Sequence, residues 1–161
     1  MSLDSVLKEV YGRWFGVKPS GPDLGKVVAV SKAQLGKPYK FGAKWDLKDP
    51  EPKGPIDCSG FIRWTWAQVG IAVPDGSQFQ YDASCPIVQP RPTDLGFFKA
   101  LGKDCHHVGM ILDDVNVIEA RGLQKDAAGN MVYNAVILRP RVKWEAWREF
   151  TGWRRLSILG K

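Results

Sequence analysis

Cys58 stands in the run Ile56-Asp57-Cys58-Ser59-Gly60-Phe61, between a loop rich in Pro and Gly and a stretch with helical spacing. A cysteine in the first turn of a helix meets the positive end of the helix dipole and unpaired backbone N–H groups. Both favour a thiolate, and the N–H groups can hold a developing oxyanion. The chemistry this would serve is acyl transfer. The other reading is a small buried side chain, since free cysteine is among the most buried residue types. A nucleophile also needs a base within reach and a group that orients the base. The chain has two histidines, His106 and His107, side by side in a strand-like run, and strand alternation sends them to opposite faces. His107 shares its face with Gly109 and Ile111, and a strand glycine often marks the close approach of a ligand or of another backbone. His107 is therefore the expected base. Glu119 is a carboxylate in the otherwise apolar run Val117-Ile118-Glu119-Ala120, which is costly unless it is paired. It either pairs with His107, holding the tautomer and stabilising imidazolium, or pairs with Arg121, or sits at an exposed edge.

These residues need elements to hold them. Leu3, Val6, Leu7, Val10 and Trp14 have helical spacing, so a short amphipathic helix is expected over residues 3 to 15. Asp23 can cap a second helix that carries Leu24, Val27, Val28, Ser31 and Leu35 and stops at Gly36. Residues 41 to 55 form a long polar loop with Pro50, Pro52 and Pro55, either a cleft wall or a surface insertion. Phe61, Ile62, Thr65, Trp66 and Val69 then share a helical face that ends at Gly70. Residues 71 to 85 are expected to be mostly loop, and Gly96-Phe97-Phe98 a strand. Residues 107–112 and 115–120 read as a hairpin closed by Asp113-Asp114. Residues 131–138 form another strand, residues 144–148 a turn of helix and residues 150–156 a last strand. Helices first and strands later indicate an α+β fold with a mostly antiparallel sheet. The domain division expected is a helical extension over residues 1–22 and one catalytic domain over residues 23–161.

A chain of 161 residues with 44% hydrophobic and 25% charged residues is long enough for one core. No apolar run is long enough to span a bilayer. The start, Met1-Ser2-Leu3-Asp4, lacks the basic and apolar regions of a secretory signal, which suits an intracellular protein, a trimmed chain, or one released by lysis or within a particle. The formal net charge of +6 favours polyanions such as an anionic wall polymer. Arg139 to Arg155 is the densest basic stretch, and its Trp144, Trp147 and Trp153 fit core packing better than base stacking, so no nucleic-acid partner is expected. Cys58, Cys85 and Cys105 are an odd number of thiols without a Cys-x-x-Cys pair, which argues against a structural zinc site. Nothing in the sequence supports a bridge between Cys85 and Cys105.

The ordered set of short runs resembles the NlpC-type family of cell-wall cysteine peptidases, which are papain-like in architecture. It comprises Leu35-Gly36-Lys37-Pro38-Tyr39, Asp57-Cys58-Ser59-Gly60-Phe61, Val73-Pro74 with Ser77 and Gln80, Pro92-Thr93-Asp94-Leu95, His107-Val108-Gly109-Met110, Val117-Ile118-Glu119-Ala120 and Trp153-Arg154-Arg155. The resemblance implies Cys58 as nucleophile, His107 as base, and Tyr39 in the cleft near the amino end of the substrate, with Asp57 and Ser59 beside it. Asp57, directly before the nucleophile, can cap the helix or tie down the loop. It implies hydrolysis of amide bonds in peptidoglycan stem peptides, between D-glutamate and diaminopimelate or lysine, with no metal or organic cofactor. The chain departs from the family in three places. Glu119 occupies a position that is usually His, Asn or Gln; Thr93 replaces a Gly before Asp94; and the loop before Asp57 is longer than usual. A compact hydrolase of this kind, acting at the wall, also suits a phage or phage-derived tail component, and a catalytically silent wall-binding component is the alternative of another class. A thiol acyltransferase or amidase acting on another substrate is the third reading.

Overall fold

The computed structural model describes residues 21–125 and 127–160. The helix expected over residues 3 to 15, and with it nearly all of the extension assigned to residues 1–22, lies outside the described residues. Asp23 caps α1 (Leu24–Lys32), its Oδ1 accepting the Lys26 N–H at 3.0 Å. Val27 and Ser31, one turn apart, are its buried positions. Residues 36–39 then run beside a strand near the other end of the chain: Gly36 and Tyr39 donate to the Val136 and Asn134 carbonyls, and Val136 donates back to Lys37. Tyr39 also bridges to Ile56. The long loop therefore leaves and returns at one place, and Tyr39 is delivered beside the start of the next helix.

That helix, α2 (Cys58–Ala67), begins at the cysteine itself. Asp57 is the cap, accepting the Gly60 N–H at 2.7 Å. Phe61, Ile62, Thr65 and Trp66 are buried as expected, and so is Trp64, because the loop packs on the helix's other side. Trp45 of the loop meets Trp64 edge-on at 5.2 Å, Trp64 Nε1 donates to the Asp49 carbonyl, and Gln68 donates to Leu47. The loop is thus a packed wall with Trp45 in the core. Its count of prolines and charges hides that one anchor.

The sheet has six strands: β1 (Ser84–Pro86), β2 (Leu95–Lys99), β3 (Cys105–Ile111), β4 (Asn116–Lys125), β5 (Met131–Pro140) and β6 (Phe150–Leu156). Their order is β1-β6-β2-β3-β4-β5, with every neighbouring pair antiparallel. Helix α2 packs on β3 and β4, and the larger core lies on that face with Phe61, Trp66, Phe97, Val108, Met110 and Ile118. The other face carries a smaller core of Phe98, Ile111, Val117, Trp144 and Trp153. The α+β class, the helices on an antiparallel sheet and the presence of strands β2, β3 and β4 agree with the sequence reading, although β3 starts two residues before the expected His107 and β4 runs five residues beyond the expected end at Ala120.

Four local expectations change. Residues 71 to 85 contain a short helix, α3 (Ser77–Asp82), and strand β1; six residues carry too little periodicity to be read as a helix. The hairpin turn is longer than two residues. Asp113 Oδ1 accepts the N–H groups of Val115 and Asn116, so Val115 belongs to the turn. The helix before β6 is α4 (Arg141–Glu145), starting directly after Pro140 rather than at Trp144. The space left by Gly109 is filled by protein: a Cβ there would stand 2.5 Å from the Trp144 ring.

Candidate active site

The site is built where β3 and β4 part. They pair only at Met110–Ile118 and Ile111–Val117. Toward the start of β3 and the end of β4 the strands diverge, and His107 and Glu119 meet across the opening. His107 Nε2 and Glu119 Oε2 are hydrogen-bonded. That leaves Nδ1 free to face Cys58, whose side chain lies close enough to shift the His107 imidazole. Sulfur, imidazole and carboxylate thus neighbour one another in that order. Phe98 and Trp144 lie beside the imidazole, with ring centroids 5.6 Å away in each case. They fix the ring plane and keep water off one side.

Glu119 has no exposed surface. It pairs with His107 and with arginine as well, because a carboxylate has acceptor sites for several donors. Arg121 Nη1 lies 3.4 Å from Oε2 and Arg139 Nη1 lies 3.4 Å from Oε1. Burial pushes the Glu119 carboxyl up, but the bond to His107 and the charges of His107, Arg121 and Arg139 outweigh it, and the group is held below the usual carboxylate range. Burial likewise pulls His107 down. Its hydrogen bonds to Cys58 and Glu119, and their negative charges, win and raise it from 6.5 to about 9. An imidazole protonated at neutral pH beside a thiol is the arrangement that supports a thiolate–imidazolium pair.

Tyr39, Asp57 and Ser59 line a cleft of about 480 Å³ together with Cys58. Burial, then the nearby Cys58 and Asp57, push the Tyr39 phenol up to about 12, so it stays a neutral donor. Its ring packs against Gly122, where a Cβ would come within 2.9 Å. Asp57 does both jobs open to it from sequence: it caps α2, and its backbone N–H donates to Ala43 at the start of the loop. The Ser59 carbonyl accepts from Gln80 Nε2 at 2.9 Å, which ties α2 to α3.

Lys44 was missed in the sequence. Its Nζ sits 2.7 Å from both Asp57 carboxylate oxygens, 2.7 Å from Asp75 and 3.3 Å from Ser59 Oγ. It therefore clasps the loop, the cap of α2 and the turn before α3 across one wall of the cleft. Nothing in a polar loop marks one lysine among five charged neighbours, so only the fold reveals it. His106 turns away from the triad, is exposed, and pairs with Glu149 at 2.9 Å. Cys85 and Cys105 are both free thiols, and the described residues contain no cluster of three or more metal-binding side chains.

The sequence profile of the NlpC/P60 family matches residues 36–141, from the Gly36 turn through α2, the triad and β5. The chain belongs to the NlpC/P60 family. Within it, the chain is 33% identical over 115 residues to the bifunctional muramidase/DL-endopeptidase CwlT of Bacillus subtilis, covering 67% of this chain and 33% of that protein. The chain spans a third or less of the length of curated relatives it matches, such as CwlT and the probable endopeptidase p60 of Listeria grayi. Among solved structures, the peptidoglycan hydrolase RipB of Mycobacterium tuberculosis superposes with a TM-score of 0.61 at 24% identity, over 96% of this chain and 86% of that one. RipD of the same organism, a non-catalytic NlpC/p60 domain protein adapted to peptidoglycan binding, superposes with a TM-score of 0.60 at 20% identity, over 81% and 94%. At these identities the two structures speak for the papain-like α+β fold.

Proposed function

We propose that the protein is a cysteine peptidase that hydrolyses amide bonds in peptidoglycan stem peptides, at the bond between D-glutamate and the following diamino acid. The observation that carries this reading is the His107 imidazole, hydrogen-bonded to the buried Glu119 and shifted by its neighbour Cys58, the first residue of α2. The Cys58 thiolate attacks the amide carbonyl, forming the C–S bond. The carbonyl oxygen gains negative charge and is received by the N–H groups of Cys58 and Ser59, since the Gly60 N–H is taken by Asp57. His107 Nδ1–H protonates the nitrogen as the C–N bond breaks, and the amine leaves. Water then attacks the thioester, giving its proton to His107, and the C–S bond breaks. Glu119 holds the imidazole's orientation and balances its charge. Tyr39, Asp57 and Ser59 border the acyl half of the substrate.

The relatives named as endopeptidases and the family membership support this reading, as does the basic charge of a protein that works on an anionic wall. The work would be done at the cell wall, and among the described residues no helix is long and apolar enough to cross a membrane. A phage tail as the vehicle stays a proposal resting on the sequence. RipD motivates the second reading, wall binding without turnover. The decisive experiment incubates wild type and Cys58→Ala with defined muropeptides and identifies products by mass spectrometry. Wild type releases fragments cut after D-glutamate and the variant releases none while still unfolding in one cooperative melt. Full turnover by Cys58→Ala would end the proposal. Wall binding by wild type with no fragments would establish the second reading instead.

A further inference from the structure

A second cavity, of about 210 Å³, lies behind His107 and is lined by Phe98, His106, His107, Arg121, Trp147 and Glu149 among others. His106 borders both this cavity and the larger cleft, so the two are neighbours on either side of the reacting pair. Cys58 belongs to the cleft and His107 to the smaller cavity. The acyl half of a substrate must stay on the thiol, and the amine half must leave toward the acid that protonates it. The residue carrying that amine therefore extends into the cavity behind His107.

The charges there do not balance. Glu119 is one carboxylate facing imidazolium, Arg121 and Arg139. With the Cys58 thiolate included, three cations meet two anions. Arg121 is 6% exposed, its only carboxylate contact among the described residues is the long one to Glu119, and its buried Nε has no partner. Glu149, the carboxylate on the cavity's rim, is engaged by His106 and by the Trp147 side chain. A buried cation short of a counter-charge is strongly unfavourable, and an arriving carboxylate would correct it. The cleft on the other side has the opposite balance, with Lys44 against Asp57, Asp75 and Asp104. Trp147, 42% exposed, and Phe98 supply an apolar wall for a short aliphatic chain.

We propose that this cavity is a subsite for a carboxylate on the side chain of the leaving amino acid, with Arg121 as its cationic partner. The protein would then favour stem peptides that carry diaminopimelate over those that carry lysine, whose side chain ends in the same ammonium without the carboxylate that would pair with Arg121. The inference rests on the peptidase reading for the direction in which the substrate lies.

Three muropeptide tripeptides test it, alike except at the third residue: diaminopimelate, diaminopimelate amidated on its side-chain carboxyl, and lysine. Wild type should cleave the first with kcat/KM about tenfold or more above the other two, the value of one charge-assisted hydrogen bond, and mostly through KM. Arg121→Gln should bring the ratio close to one, and Arg121→Lys should keep part of it. The amidated peptide makes the same comparison on the unaltered protein, so the test survives a variant that fails to fold. Calorimetric binding to Cys58→Ala measures the preference without turnover. Equal handling of the free and amidated peptides, or a preference that persists in Arg121→Gln, would overturn the subsite. Preferential binding of the free carboxylate without any hydrolysis by wild type would support the subsite and sink the peptidase reading.

Discussion

Glu119→Gln is the most informative single change, because glutamine is one of the residues that the family resemblance allows at this position. If the position needed only a hydrogen-bond acceptor for His107, the swap would be close to neutral. The structure argues otherwise. Glu119 is fully buried, and its two oxygens face His107, Arg121 and Arg139. Glutamine keeps the shape and removes the charge, leaving a nearly buried guanidinium without its anion. Breaking one side of a buried ion pair costs about 3–5 kcal/mol. The arginine contacts are long, at 3.4 Å, and Arg139 is partly exposed, so the lower end, about 3 kcal/mol, is expected. For a chain of this size that is a fall of roughly 6–12 °C in Tm. Losing the carboxylate that balances the imidazolium should lower kcat/KM by on the order of a hundredfold or more. The double variant Glu119→Gln, Arg121→Gln should be less destabilised than the sum of its parts, by about 1 kcal/mol or more, since it removes the stranded cation too. Thermal melts at neutral pH and muropeptide kinetics read both effects. A Tm within about 2 °C of wild type, an additive double variant and unchanged kinetics would show that Glu119 is not the anion on which this cluster depends.

The titration of the His107–Glu119 pair and the strained turn at Thr93 each carry a further outcome. His107 is raised from 6.5 to about 9 on folding, so its contribution to stability is complete below about 6.5 and is lost as pH rises through about 9. Glu119 is lowered, so its contribution is present above the ordinary carboxylate pKa and is lost as pH falls below it. Melting temperatures should therefore fall between pH 6.5 and 9.5 in wild type and fall less in Cys58→Ala, and the alkaline limb of kcat/KM should lie near pH 9; an identical alkaline slope in both proteins would contradict the coupling. Thr93→Gly should stabilise the protein. Thr93 sits at φ +81° in the turn closed by the Asp94 N–H to Arg91 carbonyl bond, 2% exposed, with Oγ1 unpartnered among the described residues. Relief of left-handed strain, about 1–2 kcal/mol, and of the unmade hydrogen bond, about 1 kcal/mol, exceeds the loss of a buried methyl, about 0.8 kcal/mol, and the entropy of glycine, about 0.5–1 kcal/mol. A Tm gain of about 2–4 °C is expected, and less for Thr93→Ala, which keeps the strain; a lower Tm for Thr93→Gly than for wild type would refute it.

The parts of this molecule that could be read from the sequence are those fixed by near neighbours. Asp57 followed by Cys58, Ser59 and Gly60 reads as a capped helix start because a short side chain reaches the N–H three residues on, and it does so here at 2.7 Å. His107 and Glu119 are found because alternation along two adjacent strands decides which faces they occupy. What stayed hidden is fixed by residues far along the chain. Gly109 reads as room for a ligand until Trp144, thirty-five positions later, fills the gap. Lys44 reads as one charge in a polar loop until the fold places Asp57 and Asp75 within 2.7 Å of it. The sequence offers His107 and Arg121 as alternative partners of Glu119 because a sequence pairs residues one to one. A buried carboxylate does not, and this one collects three donors. That surplus of donors gives the site its character: one anion is asked to serve an imidazole and two guanidinium groups, so the electrostatic shortfall falls on Arg121.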